Sequence, residues 1–231
     1  MRRLHAFVSL TAVAAVALLA THVPDRLAQD WGHYVAWIVV CVVSDTLWVN
    51  TNLGATLSLS STAGVAALVL WGHPAGIWIG AVGTLVGELF VLRKPWIRAI
   101  FNASQITVTV WVAGWVFALL GGPRGGLELS SALGTVVDHT VAVRMGPAML
   151  ALVAVYWLVN RAFVVRAVAW ASDRRYLKVW REDWLYAQRL SADGASFLLA
   201  PLMVISYHAI GYPGVVLFYA ATLVRLGCGR A

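Results

Sequence analysis

The sequence predicts an all-α fold, a polytopic membrane helix bundle with about six to eight transmembrane segments and both termini in the cytoplasm. Three observations predict this class. Hydrophobic residues make up 61% of the 231 positions and charged residues only 12%, a composition outside that of ordinary soluble domains. Apolar runs recur along the whole chain. The basic residues stand between these runs instead of forming one patch.

The first half of the chain contains five apolar runs. Residues 4–21 follow Arg2 and Arg3 like the core of a signal peptide, but Leu18 stands where a cleavage site needs a small residue. We therefore interpret this run as a retained first span. The next predicted spans cover about 34–49, 57–71, a glycine-rich helix that ends near residue 91, and 103–122.

The second half is less regular. A weakly amphipathic loop precedes a predicted span over about 147–165, and the segment of about 166–190 alternates Trp and Tyr with Arg and Lys. Such a segment is typical of a helix lying on an anionic membrane surface. The last two apolar runs cover about 195–210 and 213–226, and the final one either spans with its neighbours' support or re-enters. Because no repeat or linker interrupts the chain, we predict a single integral membrane domain over 1–231.

The positive charges predict the orientation. If eight segments cross and the N-terminus is cytoplasmic, fourteen of the 17 lysines and arginines lie on the inner side. Arg26, Arg124 and Arg144 then remain outside. This imbalance follows the positive-inside rule.

A stripe of glycines marks the fourth predicted span. Gly76, Gly80, Gly83 and Gly87 follow one another at helical spacing and lie on one side of a helix. Glycine weakens a helix in water, so we interpret this stripe as a groove against which neighbouring helices pack closely. The opposite face, with Ile77, Trp78 and Leu85, is expected to meet lipid.

Polar residues within the predicted spans share one depth, close to the cytoplasm. Ionisable groups in a bilayer are costly unless paired, so we predict one connected network facing the bundle interior. Asp45 and Glu88 are expected near helix C-termini, where the helix dipole disfavours negative charge and a cationic partner is needed. Arg98 and Arg161 are the candidate partners. The predicted network consists of Asp45, Glu88, Arg98, Asn102, Gln105, Asn160 and Arg161.

Three roles are open for this network. Its members hold helices together, or Asp45 and Glu88 bind a ligand or sense protons, or the acids serve catalysis. The sequence contains no GxSxG, P-loop, CxxC, GxGxxG or HExxH motif, so we predict no enzyme activity, no metal and no cofactor. Because the basic residues are dispersed, we expect no nucleic-acid partner.

Several segments resemble a known family. The stretch LSLSSTAGVAALVLWGHPAGIWIGAVGTLVGELF, then RKPWIRAIFNASQ, YWLVNRAF and the two last apolar runs resemble the N-terminal multi-span membrane sensor region of bacterial HD-GYP and GGDEF signalling proteins. The resemblance implies a bacterial cytoplasmic membrane location and a sensory role. In that family an enzyme domain follows the last span, whereas here the sequence ends at GCGRA, so cyclic-nucleotide turnover is not carried over. The glycine-rich segments also resemble, less closely, the substrate-binding membrane components of energy-coupling-factor transporters.

We therefore expect a non-enzymatic sensory or interaction domain. Its expected partners are membrane lipids and a small apolar or amphipathic ligand, a partner membrane protein or a second copy of the chain. The alternative is a transport component that works with an energising partner, and such a receptor should keep its polar pocket open to the outer face. A lipid-modifying enzyme would need an acid and a base together, whereas Glu88 and His208 are expected at opposite depths.

Overall fold

The chain is helical through most of the part that the computed structural model describes, which comprises residues 2–46, 48–50, 56–127, 139–184 and 187–227. The helices are α1 (Arg2–Thr21), α2 (Leu27–Thr46), α3 (Ser60–Trp71), α4 (His73–Val86), α5 (Trp96–Leu119), α6 (His139–Ala171), α7 (Tyr176–Val179), α8 (Ala187–Ile210) and α9 (Tyr212–Gly227). Two π-helices, Gly87–Val91 and Trp180–Trp184, continue α4 and α7.

Four of the described helices are long and apolar enough to cross a membrane. They are Arg2–Thr21, His73–Val91, Trp96–Leu119 and Met145–Ala171. This confirms the prediction of a helical membrane protein. The apolar helices Ser61–Trp71, Leu199–Ile210 and Tyr212–Thr222 are shorter, so the finer count of six to eight spans stays a prediction.

Proline and glycine set the limits of α4 and α5. Gly72, at φ 86°, separates α3 from α4, and proline occupies the first turn of α4, where a missing N–H costs no helical hydrogen bond. Pro95 precedes α5 in an extended conformation, and Gly121, at φ 93°, follows its end. The positive φ values favour glycine at both ends.

The structure corrects two predicted boundaries. The second predicted span reached Val49, but α2 ends at Thr46 and residues Trp48–Asn50 pair antiparallel with Thr56–Ser58 in a short ribbon, β1 and β2. This stretch is polar and lacks a helical apolar pattern. The predicted surface segment began at residue 166, yet α6 continues to Ala171 because the sequence there remains apolar and contains no helix breaker.

Helix α4 lies at the centre of the bundle and packs against α2, α3 and α5. Ile77, which was expected to face lipid, has no exposed surface, and that prediction is wrong. Trp78 and Leu85, from the same predicted face, are half-buried. A helix with neighbours on several sides does not keep a lipid face along its whole length.

The glycine stripe is divided among three neighbours. A Cβ atom at Gly83 would lie 2.7 Å from Cys41 Cβ of α2, and one at Gly87 would lie 3.0 Å from the Oδ2 atom of Asp45. At Gly80 the nearest atom would be a methyl of Ile106 on α5, and at Gly76 the backbone of Leu68 on α3. Each glycine therefore permits a close approach, but the stripe is not one groove for one helix.

Aromatic contacts define the two ends of the bundle. The ring of Phe7 on α1 lies 5.8 Å from Phe101 of α5 and 5.2 Å from Trp170 of α6. We call this the basic end, because Arg2, Arg3, Arg98 and Arg166 belong to the adjoining turns. At the opposite end of α1, His22 lies 5.7 Å from His73, the first residue of α4. We call this the histidine end.

Candidate functional site

At the basic end, the carboxylate of Glu88 is the centre of a buried network. Its Oε1 atom accepts a 2.6 Å hydrogen bond from the Lys94 ammonium group, which also forms an ion pair with it. The amide of Asn102 donates to both carboxylate oxygens, at 2.7 and 2.8 Å. Glu88 is only 5% exposed. These bonds join α4, the turn that follows it and α5.

The turn after α4 brings Lys94 back onto Glu88. The first π-helix closes with a hydrogen bond of 2.9 Å from the amide of Leu92 to the carbonyl of Gly87. Arg93 then adopts a left-handed conformation at φ 49°, and the Lys94 amide donates to the carbonyl of Glu88 at 2.8 Å. This widened helix end reverses the chain. The lysine side chain therefore returns to the acid six positions earlier.

The predicted cationic partners are not the ones that bind Glu88. Arg98 is exposed on the first turn of α5, and the bonds of Glu88 within the described chain go to Lys94 and Asn102. Arg161 is half-buried on α6 and is likewise not among the partners of Glu88 in the described chain. The correction has a local cause, because the reversed turn delivers Lys94 to the acid before α5 begins.

The other predicted members do not join the hydrogen bonds of Glu88 within the described chain. The Oδ2 atom of Asp45 lies beside Gly87, the neighbour of Glu88. Gln105 is buried one turn from Asn102, and its Oε1 atom has no hydrogen-bond partner among the described residues. Asn160 is half-buried on α6, three residues before Phe163, whose ring stacks on Phe7.

Both oxygens of Glu88 are thus engaged, and the group is shielded from solvent. A buried carboxylate that accepts hydrogen bonds from one ammonium group and from both N–H groups of one amide has little capacity left for another ligand. This arrangement favours the interpretation that the network holds helices together.

The histidine end contains a cavity of about 410 Å³. This volume falls within the range of small-molecule sites. Its walls come from the turn after α1, from α2, from the start of α4 and from the end of α5 with the loop that follows. The cavity is lined by His22, Pro24, Asp25, Arg26, Tyr34, Trp71, His73, Pro74, Ala75, Trp115, Ala118, Arg124 and Gly125.

Hydrogen bonds fix the two histidines of the cavity. Trp111 donates its indole N–H to His22 Nε2 at 3.2 Å, and Trp78 donates to the carbonyl of His22 at 3.1 Å. His73 Nε2 lies 2.9 Å from the carbonyl of Trp111. A Cβ atom at Gly114 would lie 2.3 Å from His73, so α5 must carry glycine there. The imidazoles are therefore built into the wall.

Backbone contacts hold the loop that carries Arg124 and Gly125, two of the lining residues. The His73 amide donates to the carbonyl of Arg124 at 3.1 Å, and the amide of Leu127 donates to the carbonyl of Val69 at 2.9 Å. Gly72 and Gly126 both have positive φ and lie in contact, since a Cβ atom on Gly126 would be 2.3 Å from the Gly72 nitrogen. The loop after α5 is thereby held against the α3–α4 turn.

The lining of the cavity includes charged side chains that are exposed to solvent and a buried tryptophan whose indole N–H has no acceptor in the described chain. Arg26, Arg124 and Asp25 are exposed, and the Arg124 guanidinium carbon lies 5.3 Å from the ring centre of Trp115. Trp71 is buried, and its indole N–H has no acceptor among the described residues.

This cavity was not predicted from the sequence. The segment WGHPAG, which the sequence indicates only as a turn because Gly and Pro break helices, supplies Trp71 and His73 to the wall. His22 and His73 are separated by 51 positions, and the packing of both α1 and α4 on α5 brings them together. The one usable signal was that Arg26 and Arg124, two of the three cations predicted outside, both flank helix ends.

Nowhere in the described chain do three His, Cys, Asp or Glu side chains come together as a metal site would require. Comparison of the chain with models of protein families, with curated proteins and with solved structures gave no match in any of the three.

Proposed function

We propose that the chain is a sensory membrane domain that binds a small molecule in the cavity at the histidine end. The observation that carries this proposal is the cavity itself, about 410 Å³ in volume, with walls held by hydrogen bonds and close backbone contacts. The domain acts by binding rather than catalysis. The hydrogen bonds of Glu88 then hold α4 and α5 together at the basic end.

The distribution of charge supports an outward-facing cavity. The lysines and arginines concentrate at the basic end, which the positive-inside rule assigns to the cytoplasm. Helix α9 runs parallel to α2, since Tyr212 bonds His33 at 2.9 Å and Tyr219 bonds Ser44 farther along. Both chain termini then lie on the cytoplasmic side of a bacterial inner membrane, with six to eight segments crossing.

Helix α4 supplies the connection that a sensor needs. Its first turn lines the cavity, and Glu88 follows fifteen residues later, about 22 Å along the helix axis. The helix is π-helical at this point, and single π-helical turns within α-helices are frequent at functional sites. A ligand that moves the first turn of α4 can therefore move Lys94 and the cytoplasmic turn. The resemblance to membrane sensor regions agrees with this role.

Mass spectrometry of co-purified compounds tests the proposal. Ala118 lines the cavity, and Ala118→Trp places an indole in it, whereas Leu119→Trp places an indole at a neighbouring position that is 73% exposed. We expect at least one compound to be extracted from the wild type and from Leu119→Trp but not from Ala118→Trp. Recovery of no compound, or of equal amounts from all three, would overturn the proposal.

The second candidate is a substrate-binding transport component, and one observation favours it. The cavity lies on the predicted outer side, as an uptake receptor requires. The co-purified compound distinguishes the two functions. In a sensor, binding of the compound changes the rate at which a thiol reagent labels the Arg93→Cys variant at the cytoplasmic turn. The experiment uses a chain that also carries Cys228→Ser, so that Cys228 is not labelled. A transport component raises accumulation of the compound in cells that express it with its partner.

A further inference from the structure

The groups around the cavity at the histidine end are mainly hydrogen-bond donors. Arg26 and Arg124 contribute two guanidinium groups to the lining, and both residues are exposed. Asp25 is the one carboxylate among the lining residues. A ligand beside these guanidinium groups is therefore favoured when it carries acceptor oxygens, because hydrogen bonds to charged groups are stronger than those between neutral groups.

The charge of the lining limits the charge of the ligand. Two guanidinium groups and one carboxylate leave one net positive charge when both histidines are neutral. His22 Nε2 accepts the indole N–H of Trp111, which requires that nitrogen to be unprotonated. A single negative charge on the ligand balances the cavity.

Arg124 is arranged to bind such a charge. Its guanidinium carbon lies 5.3 Å from the ring centre of Trp115, a cation–π contact that uses none of the N–H donors as a hydrogen bond. These donors match the two oxygens of a carboxylate.

The remaining wall is aromatic and flat. Trp71 and Trp115 line the cavity together with the His73 ring and two prolines, and the ring of Tyr34 meets Trp71 edge to face at 6.2 Å. Aromatic walls bind planar rings by stacking and edge contacts. We propose, on the basis of the proposed function, that the ligand is a small aromatic monocarboxylate, with its carboxylate on Arg124 and its ring against the aromatic side chains of the lining.

Calorimetric titration of the full chain in lipid nanodiscs tests this ligand class. Indole-3-acetate is the anionic probe, and indole-3-acetamide is a neutral probe of nearly the same shape. We expect the acetate to bind at least about tenfold more tightly, as a charge-assisted hydrogen bond pair provides. Arg124→Gln should remove this preference, whereas Arg98→Gln, at the opposite end of the bundle, should keep it.

Three results would overturn the ligand class. They are equal affinity for the two probes, no binding of either probe, and an acetate preference that survives Arg124→Gln. Ala118→Trp should abolish binding of both probes, and binding that persists in this variant places the probe elsewhere and also overturns the inference. The proposed function is decided separately, since co-purification of any compound that Ala118→Trp excludes supports it even when both probes fail.

Discussion

His22 and Trp111, 89 positions apart, are joined by a 3.2 Å hydrogen bond in which the indole N–H donates to the imidazole Nε2 atom. The Nδ1 atom of His22 lies 3.0 Å from the carbonyl of Leu18, so the neutral imidazole with its proton on Nδ1 satisfies both contacts. The carbonyl of Trp111 meanwhile accepts from His73. One residue of α5 thus fixes both histidines of the cavity.

We expect Trp111→Phe to lower the free energy of unfolding by about 1 kcal/mol, because the aromatic ring is kept and one hydrogen bond is lost. The thermal midpoint in detergent measures this change. Trp96→Phe is the control, since Trp96 is 65% exposed. Equal midpoints for the two variants would show that the Trp111–His22 bond does not stabilise the fold.

The Glu88–Lys94 pair predicts a strong coupling between two substitutions. Glu88→Gln leaves the ammonium group of Lys94 without its anion, and Lys94→Met leaves a buried carboxylate with only Asn102. Breaking a buried pair costs about 3–5 kcal/mol, and we expect somewhat less here because the Lys94 side chain is 24% exposed. The double variant should be more stable than the sum of the single losses predicts.

Arg98→Gln provides the contrast in this cycle. Arg98 was the cation expected from the sequence, but it is exposed and does not bind Glu88. We expect no coupling between Arg98→Gln and Glu88→Gln in thermal midpoints. Coupling of Glu88 to Arg98 but not to Lys94 would contradict the geometry of the turn.

The close approach of α4 to α2 predicts opposite effects for two glycine substitutions. A Cβ atom at Gly83 would lie 2.7 Å from Cys41 Cβ, whereas one at Gly32 on α2 would meet nothing within 4 Å. We expect Gly83→Ala to destabilise by about 1–3 kcal/mol through overpacking. Gly32→Ala should stabilise by about 0.5–1 kcal/mol, because alanine favours the helix. Thermal melting of both variants checks the signs, and stabilisation by both would rule out tight packing at Gly83.

The sequence predicted those parts of the structure that depend on composition and helical spacing. The membrane class follows from the apolar runs, and the glycine spacing marks positions where neighbours do come close, as Gly83 and Cys41 demonstrate. Glu88 and Asn102 were grouped by their predicted depth, and a hydrogen bond joins them. These predictions depend on composition, on spacing along a helix and on the expected depth of each residue in the membrane, all of which the sequence determines.

The rest depended on contacts that spacing does not determine. Lys94 reaches Glu88 because Arg93 takes a positive φ and the preceding turn is a π-helix, and neither feature has a periodic signal. Ile77 is buried because α4 has neighbours on several sides, which a single helix does not reveal. The cavity arises from helix ends and loops that are distant in sequence.

The hydrogen bond between the Ser44 and Tyr219 hydroxyls predicts that α9 belongs to the bundle in the folded protein. Ser44 is buried on α2, and its hydroxyl also contacts the carbonyl of Val40 at 2.6 Å. In a double-mutant cycle with Ser44→Ala and Tyr219→Phe, we expect a coupling of about 1 kcal/mol. Thr46→Ala replaces Ser44→Ala in the control cycle, because Thr46 is exposed on the same helix and bonds only the carbonyl of Val43 in the described chain. A hydroxyl pair shielded from water couples the two substitutions only if α9 stays docked along α2, so additive losses would mean that the last helix leaves the bundle in the membrane.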